Sequence, residues 1–230
     1  MNGTLYGVSV GPGDPELLTL KAVRIIESCD VVAAPCTAGE KTLALDIAMG
    51  AADLTGKAIV TLPFLMTRDK SALAKSHRAA ADTLAVYLRA GCSVAMLNLG
   101  DVSIYSSFCY LMELLISDGF TVEMIPGVTS FCATAAALNI SLTTMQEPLH
   151  IIPAGSMDTA EALSLSGTKV LMKTGRDLSR VKEEICRRGL ENNTLLVQNC
   201  GLPNEKICRN ITEASDEISY FTTIVVKKGE

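Results

Sequence analysis

The sequence predicts an α/β protein of two lobes. The first is a mostly parallel sheet with helices on both faces, and the second is a mixed α/β unit. Three observations predict it: short apolar runs recur with Gly- or Pro-rich breaks at their ends, amphipathic stretches fill the intervals, and the pattern changes character near Leu149. The 230 residues, 48% apolar and 20% charged, suit one folded chain of two small lobes and exclude a disordered or collagen-like one. The reading places lobe 1 at residues 1–125 and lobe 2 at residues 126–230.

The elements follow in order. Thr4 to Val10 reads as a buried strand and runs into Gly11-Pro12-Gly13-Asp14-Pro15, a forced turn. Glu16 to Ser28 carries a wide apolar face and predicts a helix with an acidic residue at its positive end. Asp30 to Ala34 is a second buried strand, which gives the β-α-β alternation of a parallel sheet. Ile59 to Leu62 is a short strand, Asp69 to Arg89 a long helix stopped by Gly91, and Ser93 to Leu99 a buried strand ending at Gly100-Asp101. Ser106 to Ser117 is helical, Thr121 to Ile125 a strand, and Thr129 to Leu138 an alanine-rich helix behind the break at Pro126-Gly127. Beyond Leu149, strands at 150–152, 169–172, 194–197 and 222–226 are separated by shorter helices, the clearest being Asp177 to Arg188.

Composition narrows the function classes. Lys plus Arg number 20 against 25 Asp plus Glu, a formal charge of −5, so nucleic acid is not the expected partner and any polyanion needs a local basic patch. The mean hydropathy of +0.31 comes from dispersed Ala and Leu, and no apolar run approaches the ~20 residues of a membrane span. The N-terminus lacks a secretory pattern, which predicts a cytoplasmic protein without membrane partners. The eight cysteines form no C-x-x-C pair and there are two histidines, so no resident metal is expected. Most of the cysteines, Cys132 among them, are expected to be small buried hydrophobes.

Three strand-end motifs carry the chemistry. Gly11-Pro12-Gly13-Asp14 lacks the third glycine of a dinucleotide fingerprint and the Gly-Lys-Ser/Thr of a P-loop. What remains is a rigid loop whose Gly11 and Gly13 let a ligand approach the backbone and whose Asp14 places a carboxylate at the sheet edge. In Leu99-Gly100-Asp101-Val102-Ser103-Ile104-Tyr105-Ser106, Gly100 permits backbone contact, and Asp101 is placed either to bond a ribose hydroxyl or to cap the next helix. In Pro126-Gly127-Val128-Thr129-Ser130, two hydroxyls at a helix start serve either as a cap or as a contact for a carboxylate.

In order and spacing, these three motifs resemble the S-adenosylmethionine-dependent tetrapyrrole methylases over nearly the whole chain. Gly3 to Ala22, together with Gly100-Asp101-Val102-Ser103-Ile104-Tyr105-Ser106, resembles most the branch that methylates C20 of precorrin-2 or cobalt-factor II in corrin synthesis. Other members have Gly-Asp-Pro at the second motif, where this chain has Val102. The resemblance implies the two-lobed tetrapyrrole methylase fold, a homodimer, S-adenosylmethionine as methyl donor and a tetrapyrrole acceptor.

Carried over by residue, the cofactor contacts fall on Pro12, on Leu99, Gly100, Asp101, Val102, Ser103 and Ile104, on Thr129 and Ser130, and on Lys173, Asn199 and Cys200. Related enzymes have Met-Gly at Lys173-Thr174 and Gly at Cys200. Substrate contacts fall on Gly11, Gly13, Asp14 and Tyr105, with Asp14 and Tyr105 as candidates for proton removal. The uroporphyrinogen methylases carry an Asp after the second strand, where this chain has Ala33-Ala34-Pro35. A polycarboxylate ring further implies a basic trough, for which Arg68, Lys70, Lys75 and Arg78 are candidates, with a solvated helix face as the alternative. Two other readings are a family methylase with a different acceptor and a non-catalytic tetrapyrrole carrier.

Overall fold

The computed structural model describes residues 1–36, 42–67, 69–174, 177–215 and 219–228. The chain divides into two compact units, Met1–Thr129 and Ser130–Glu230.

The first unit holds a five-stranded sheet of β1 (Thr4–Ser9), β2 (Val31–Cys36), β3 (Ala58–Pro63), β4 (Val94–Asn98) and β5 (Thr121–Ile125), in the order β3-β2-β4-β1-β5. Every pairing in it is parallel. Both faces are covered, and the near-continuous apolar character of the central strands follows from the twofold period of side-chain direction. Leu5, Val31, Ala33, Val94 and Met96 point to one core, while Val8, Val32, Ala34, Ala95 and Leu97 point to the other. The first core is closed by α3 (Lys70–Arg89) and α4 (Phe108–Ser117), the second by α1 (Leu20–Ser28) and α2 (Leu43–Met49). Gly7 faces the ring of Phe108, and a β-carbon there would overlap it, so glycine is what allows α4 onto the sheet.

The second unit begins with α5 (Ser130–Leu138), followed by β6 (Leu149–Pro153), α6 (Thr159–Ser164), β7 (Thr168–Met172), α7 (Leu178–Arg187), β8 (Thr194–Gln198), β9 (Lys206–Cys208) and β10 (Thr222–Val226). The sheet order is β6-β7-β10-β8-β9. β6 and β7 are parallel, whereas β10 runs antiparallel to β7 and to β8. The sheet is therefore mixed, and β7 and β8 point the same way on either side of β10, which brings their ends to one edge. Leu171, Leu196, Ile224 and Val226 pack with Leu178, Val181 and Ile185 of α7 into its core.

Two expectations are corrected, and two elements are added. The helix expected from Glu16 starts later: Pro15–Leu17 is a 3-10 turn capped by Asp14, and α1 starts at Leu20 behind Thr19, whose hydroxyl accepts from the Ala22 amide. Two caps in succession stop the chain from continuing one helix. The elements α2 and β9, seven and three residues long, are too short for a periodic signal to announce. Among the cysteines only Cys29 and Cys200 are buried, while Cys132 and Cys186 are exposed, because Cys132 lies on the outer side of α5. No described helix is long and apolar enough to cross a membrane.

Candidate functional site

β4, β1 and β5 are neighbours, so the three motifs leave the first sheet side by side at its C-terminal edge, where open α/β sheets bind ligands. Two glycines at positive φ, Gly11 at +74° and Gly100 at +68°, pair across the gap. The Gly100 amide donates to the Gly11 carbonyl at 2.8 Å and the Gly11 amide to the Gly100 carbonyl at 3.3 Å. Beneath this bridge the buried Ser9 hydroxyl donates to the Ile125 carbonyl at 2.7 Å and accepts from the Val102 amide at 2.8 Å. One hydroxyl thus joins the ends of β1, β4 and β5. A β-carbon on Gly127 would overlap Ser9, so only glycine lets the third loop lie over it.

Asp101 closes the same knot from above. Its Oδ1 accepts from the Ser103 amide at 2.9 Å and from the Ser103 hydroxyl, and its Oδ2 accepts from the Gly127 amide at 2.8 Å. Burial raises its pKa, and the bonds from Ser103 and Gly127 outweigh that, leaving the carboxyl below the ordinary carboxylate value. The next helix starts only at Phe108, so Asp101 caps no helix, and its carboxylate clasps the second motif to the third. Val102 is buried in the first core, and its amide is committed to Ser9. Ile104 is half-buried, and its amide closes the turn on the Asp101 carbonyl at 3.1 Å.

Tyr105 is exposed and holds φ +50°, a conformation costly for a residue with a β-carbon. The next residue explains how it is held: the Ser106 hydroxyl donates to Asn98 Oδ1 at 2.7 Å and accepts from the Phe108 amide at 3.1 Å, which pins the start of α4 to the end of β4. Asp14 accepts from the Glu16 amide at 2.9 Å, and Pro12 and Asp14 are half-buried while Gly13 is buried. Thr129 closes the first unit and Ser130 opens α5 in the second.

In the second unit, Lys173 and Asn199 follow β7 and β8 directly and hold φ +58° and +52°. Four non-glycine residues among those described have positive φ. Asn139 ends α5, and the other three are Tyr105, Lys173 and Asn199. Strain of this kind persists where surrounding structure imposes it, commonly at ligand sites. Asn199 is fixed by its amide bond to the Phe221 carbonyl at 2.8 Å and by the Ser219 hydroxyl on its Oδ1. Cys200 is buried, and burial, helped by nearby Glu205, pushes its thiol up to about 11, so it is protonated at neutral pH.

The basic candidates separate. Arg78 is held by Asp82 and Asp118, each at 2.7 Å, so its charge is spent locally. Lys70 and Lys75 are exposed on α3, and Arg68 lies outside the described residues. Ser9 and Asn98 are the site residues the sequence reading misses. Each is a lone polar residue at the end of an otherwise apolar buried strand, and that position is the signal that marks them.

The family model for tetrapyrrole (corrin/porphyrin) methylases matches residues 4–214. The chain belongs to the tetrapyrrole methylase family. Within the family it is 33% identical over 235 residues, 99% of this chain and 98% of the other, to a cobalt-precorrin-2 C(20)-methyltransferase of Salmonella typhimurium. It is 38% identical over 171 residues, 74% of this chain and 72% of the other, to a probable cobalt-precorrin-2 C(20)-methyltransferase of Methanocaldococcus jannaschii. Among solved tetrapyrrole methylases, a cobalt precorrin-4 methyltransferase matches with TM-score 0.76 at 23% identity, covering 97% of this chain and 94% of that one. A uroporphyrin-III C-methyltransferase from Thermus thermophilus in complex with S-adenosylhomocysteine matches with TM-score 0.72 at 23% identity, covering 98% of each chain. These two likenesses establish the fold.

Proposed function

We propose that this family member transfers a methyl group from S-adenosylmethionine to C20 of precorrin-2 or its cobalt form, as a step of corrin synthesis. The observation that carries the reading is the 33% identity to a cobalt-precorrin-2 C(20)-methyltransferase along 99% of this chain. A uroporphyrinogen-III C-methyltransferase of Pseudomonas aeruginosa stands lower, at 28% over 224 residues. That order agrees with Val102 and Tyr105-Ser106 in the second motif and with Ala33-Ala34-Pro35 in place of an acidic residue.

S-adenosylmethionine supplies a methyl group activated by its sulfonium. The residues present suit such a donor: Gly11 and Gly100 offer bare backbone at a sheet edge, and the Ser9 and Asp101 bonds hold that edge in one shape beforehand. In the first unit the proposed contacts are Pro12, Leu99 to Ile104 and Thr129, with Asp101 acting chiefly through Gly127. In the second they are Ser130, Lys173, Asn199 and Cys200. In the transfer a bond forms from C20 to the methyl carbon while the carbon–sulfur bond breaks, its electron pair going to sulfur, and C20 then gives up its proton. Because the nucleophile is a ring carbon already rich in electrons, the protein's contribution is alignment at about 3–3.5 Å. Asp14 and Tyr105, with Gly11 and Gly13 beside them, are proposed to face the ring, and either side chain is a candidate to take the proton. The reading includes a cytoplasmic homodimer, which light scattering of the purified protein tests.

The deciding experiment incubates the purified protein with S-adenosylmethionine and either precorrin-2 or cobalt-factor II and reads product mass. One added methyl at C20 is expected. Methylation elsewhere, or none with either ring, overturns the reading, and failure to bind S-adenosylhomocysteine in a calorimeter would favour a carrier.

A further inference from the structure

A second feature of the first unit stands at the same sheet edge and is absorbed by none of the motifs. α3 follows β3 and α4 follows β4, and since the strands are parallel both helices begin at the C-terminal edge. There the His77 ring of α3 stacks on the Tyr110 ring of α4, centroids 4.6 Å apart and planes 11° from parallel. Phe64, the residue after β3, lies against His77 at 5.9 Å. Phe64 thus leaves the sheet at the same C-terminal edge as the strand-end motifs.

This stack is not sealed into the core. Tyr110 is 56% exposed, and Leu65 and Met66 beside Phe64 are 53% and 73% exposed. Burial depresses the His77 pKa, so the stacked imidazole is neutral at pH 7 and backs the Tyr110 ring without a charge. Seven residues before His77, on the same face of α3 and about 10 Å along its axis, stands Lys70. Lys70 is exposed and makes no ion pair among the described residues. Lys75 lies about half a turn away on the helix, and Arg78 is already paired. The exposed Tyr110 ring and apolar Leu65 and Met66 beside an uncommitted cation suit a flat ring rimmed with carboxylates.

We propose that the exposed side of Tyr110, backed by the His77 and Phe64 rings, is the platform against which the tetrapyrrole rests, with Lys70 meeting a carboxylate at its rim. The inference rests on the methyltransferase reading above and assigns its acceptor subsite. The platform orients the ring and takes no part in the methyl transfer itself.

The test is calorimetric titration with cobalt-factor II in the presence of S-adenosylhomocysteine. Tyr110→Ala is expected to weaken ring binding about tenfold, and Tyr110→Phe to restore it to within about twofold, while the affinity for S-adenosylhomocysteine is unchanged in both. Lys70→Gln is expected to weaken ring binding about threefold at low salt and to converge on wild type as salt screens the pair. Wild-type ring affinity in Tyr110→Ala, with wild-type methylation intact, overturns the platform alone. If the unaltered chain neither binds nor methylates the ring, the platform and the functional reading fall together. A fall in S-adenosylhomocysteine affinity equal to that for the ring would make the stack a general support of the fold and would also overturn the proposal.

Discussion

Asp101→Asn isolates the clasp. Asparagine keeps an oxygen for the Ser103 amide and hydroxyl but turns an NH2 group toward the Gly127 amide, so a 2.8 Å charge-assisted bond becomes two donors facing each other. Bonds to a charged acceptor contribute about 1.5–3 kcal/mol, and with Gly127 half-buried the lower half of that range, about 2 kcal/mol, is expected. In a chain of this size that loss lowers Tm by roughly 4–8 °C. The folded-state pKa of Asp101 is depressed, so its contribution is present above the ordinary carboxylate pKa and is lost as pH falls through the lower folded value. Wild type and variant should therefore converge in stability below about pH 4. The assay is thermal unfolding of the ligand-free protein across pH 3–8, paired with S-adenosylhomocysteine titration. An unchanged ligand-free Tm with weakened ligand binding would refute the clasp and return Asp101 to a direct contact.

Ser9→Ala removes the hydroxyl shared by the Val102 amide and the Ile125 carbonyl in a fully buried place, and a cost of about 2–3 kcal/mol is expected by chemical denaturation. A cost below about 0.5 kcal/mol would mean the three strand ends need no such joint. Lys173→Gly should be more stable than Lys173→Ala by about 1 kcal/mol, since both lose the side chain and glycine alone accepts φ +58° without strain. Equal midpoints for the two would show that the backbone relaxes there. Under native conditions at pH 8, iodoacetamide should modify exposed Cys186 well before Cys29 and Cys200, whose thiols burial pushes up to about 11, and peptide mass mapping reads the order.

Much of the first unit was legible because its signals are local. Each central strand is an apolar run closed by glycine or proline, and the 20-residue α3 announces itself by periodicity and by Asp69 at its cap, which accepts from the Ser71 and Ala72 amides. The region from Asp14 to Thr19 was not, because a 3-10 turn and an α-helix present the same apolar spacing over so few residues. The candidate site was legible as three motifs and illegible as a unit. Nothing in the order of residues states that Gly11 pairs with Gly100 or that Asp101 reaches Gly127, because these contacts join segments 26 to 89 positions apart.

By itself the sequence determined which residues could stand at strand ends, since glycine, proline and short polar side chains are selected there by backbone geometry, and through its motifs it determined the family resemblance. The tertiary structure decided what those residues do. Strand order placed β4, β1 and β5 together, and so turned Ser9 from one more small polar residue into the joint of three loops. It also divided the basic residues of α3, pairing Arg78 with two aspartates and leaving Lys70 on the face of the aromatic stack. The physical reason is the same in each case: hydrogen bonds, ion pairs and ring stacking act over a few ångströms, and only the packed chain sets which distant residues come that close.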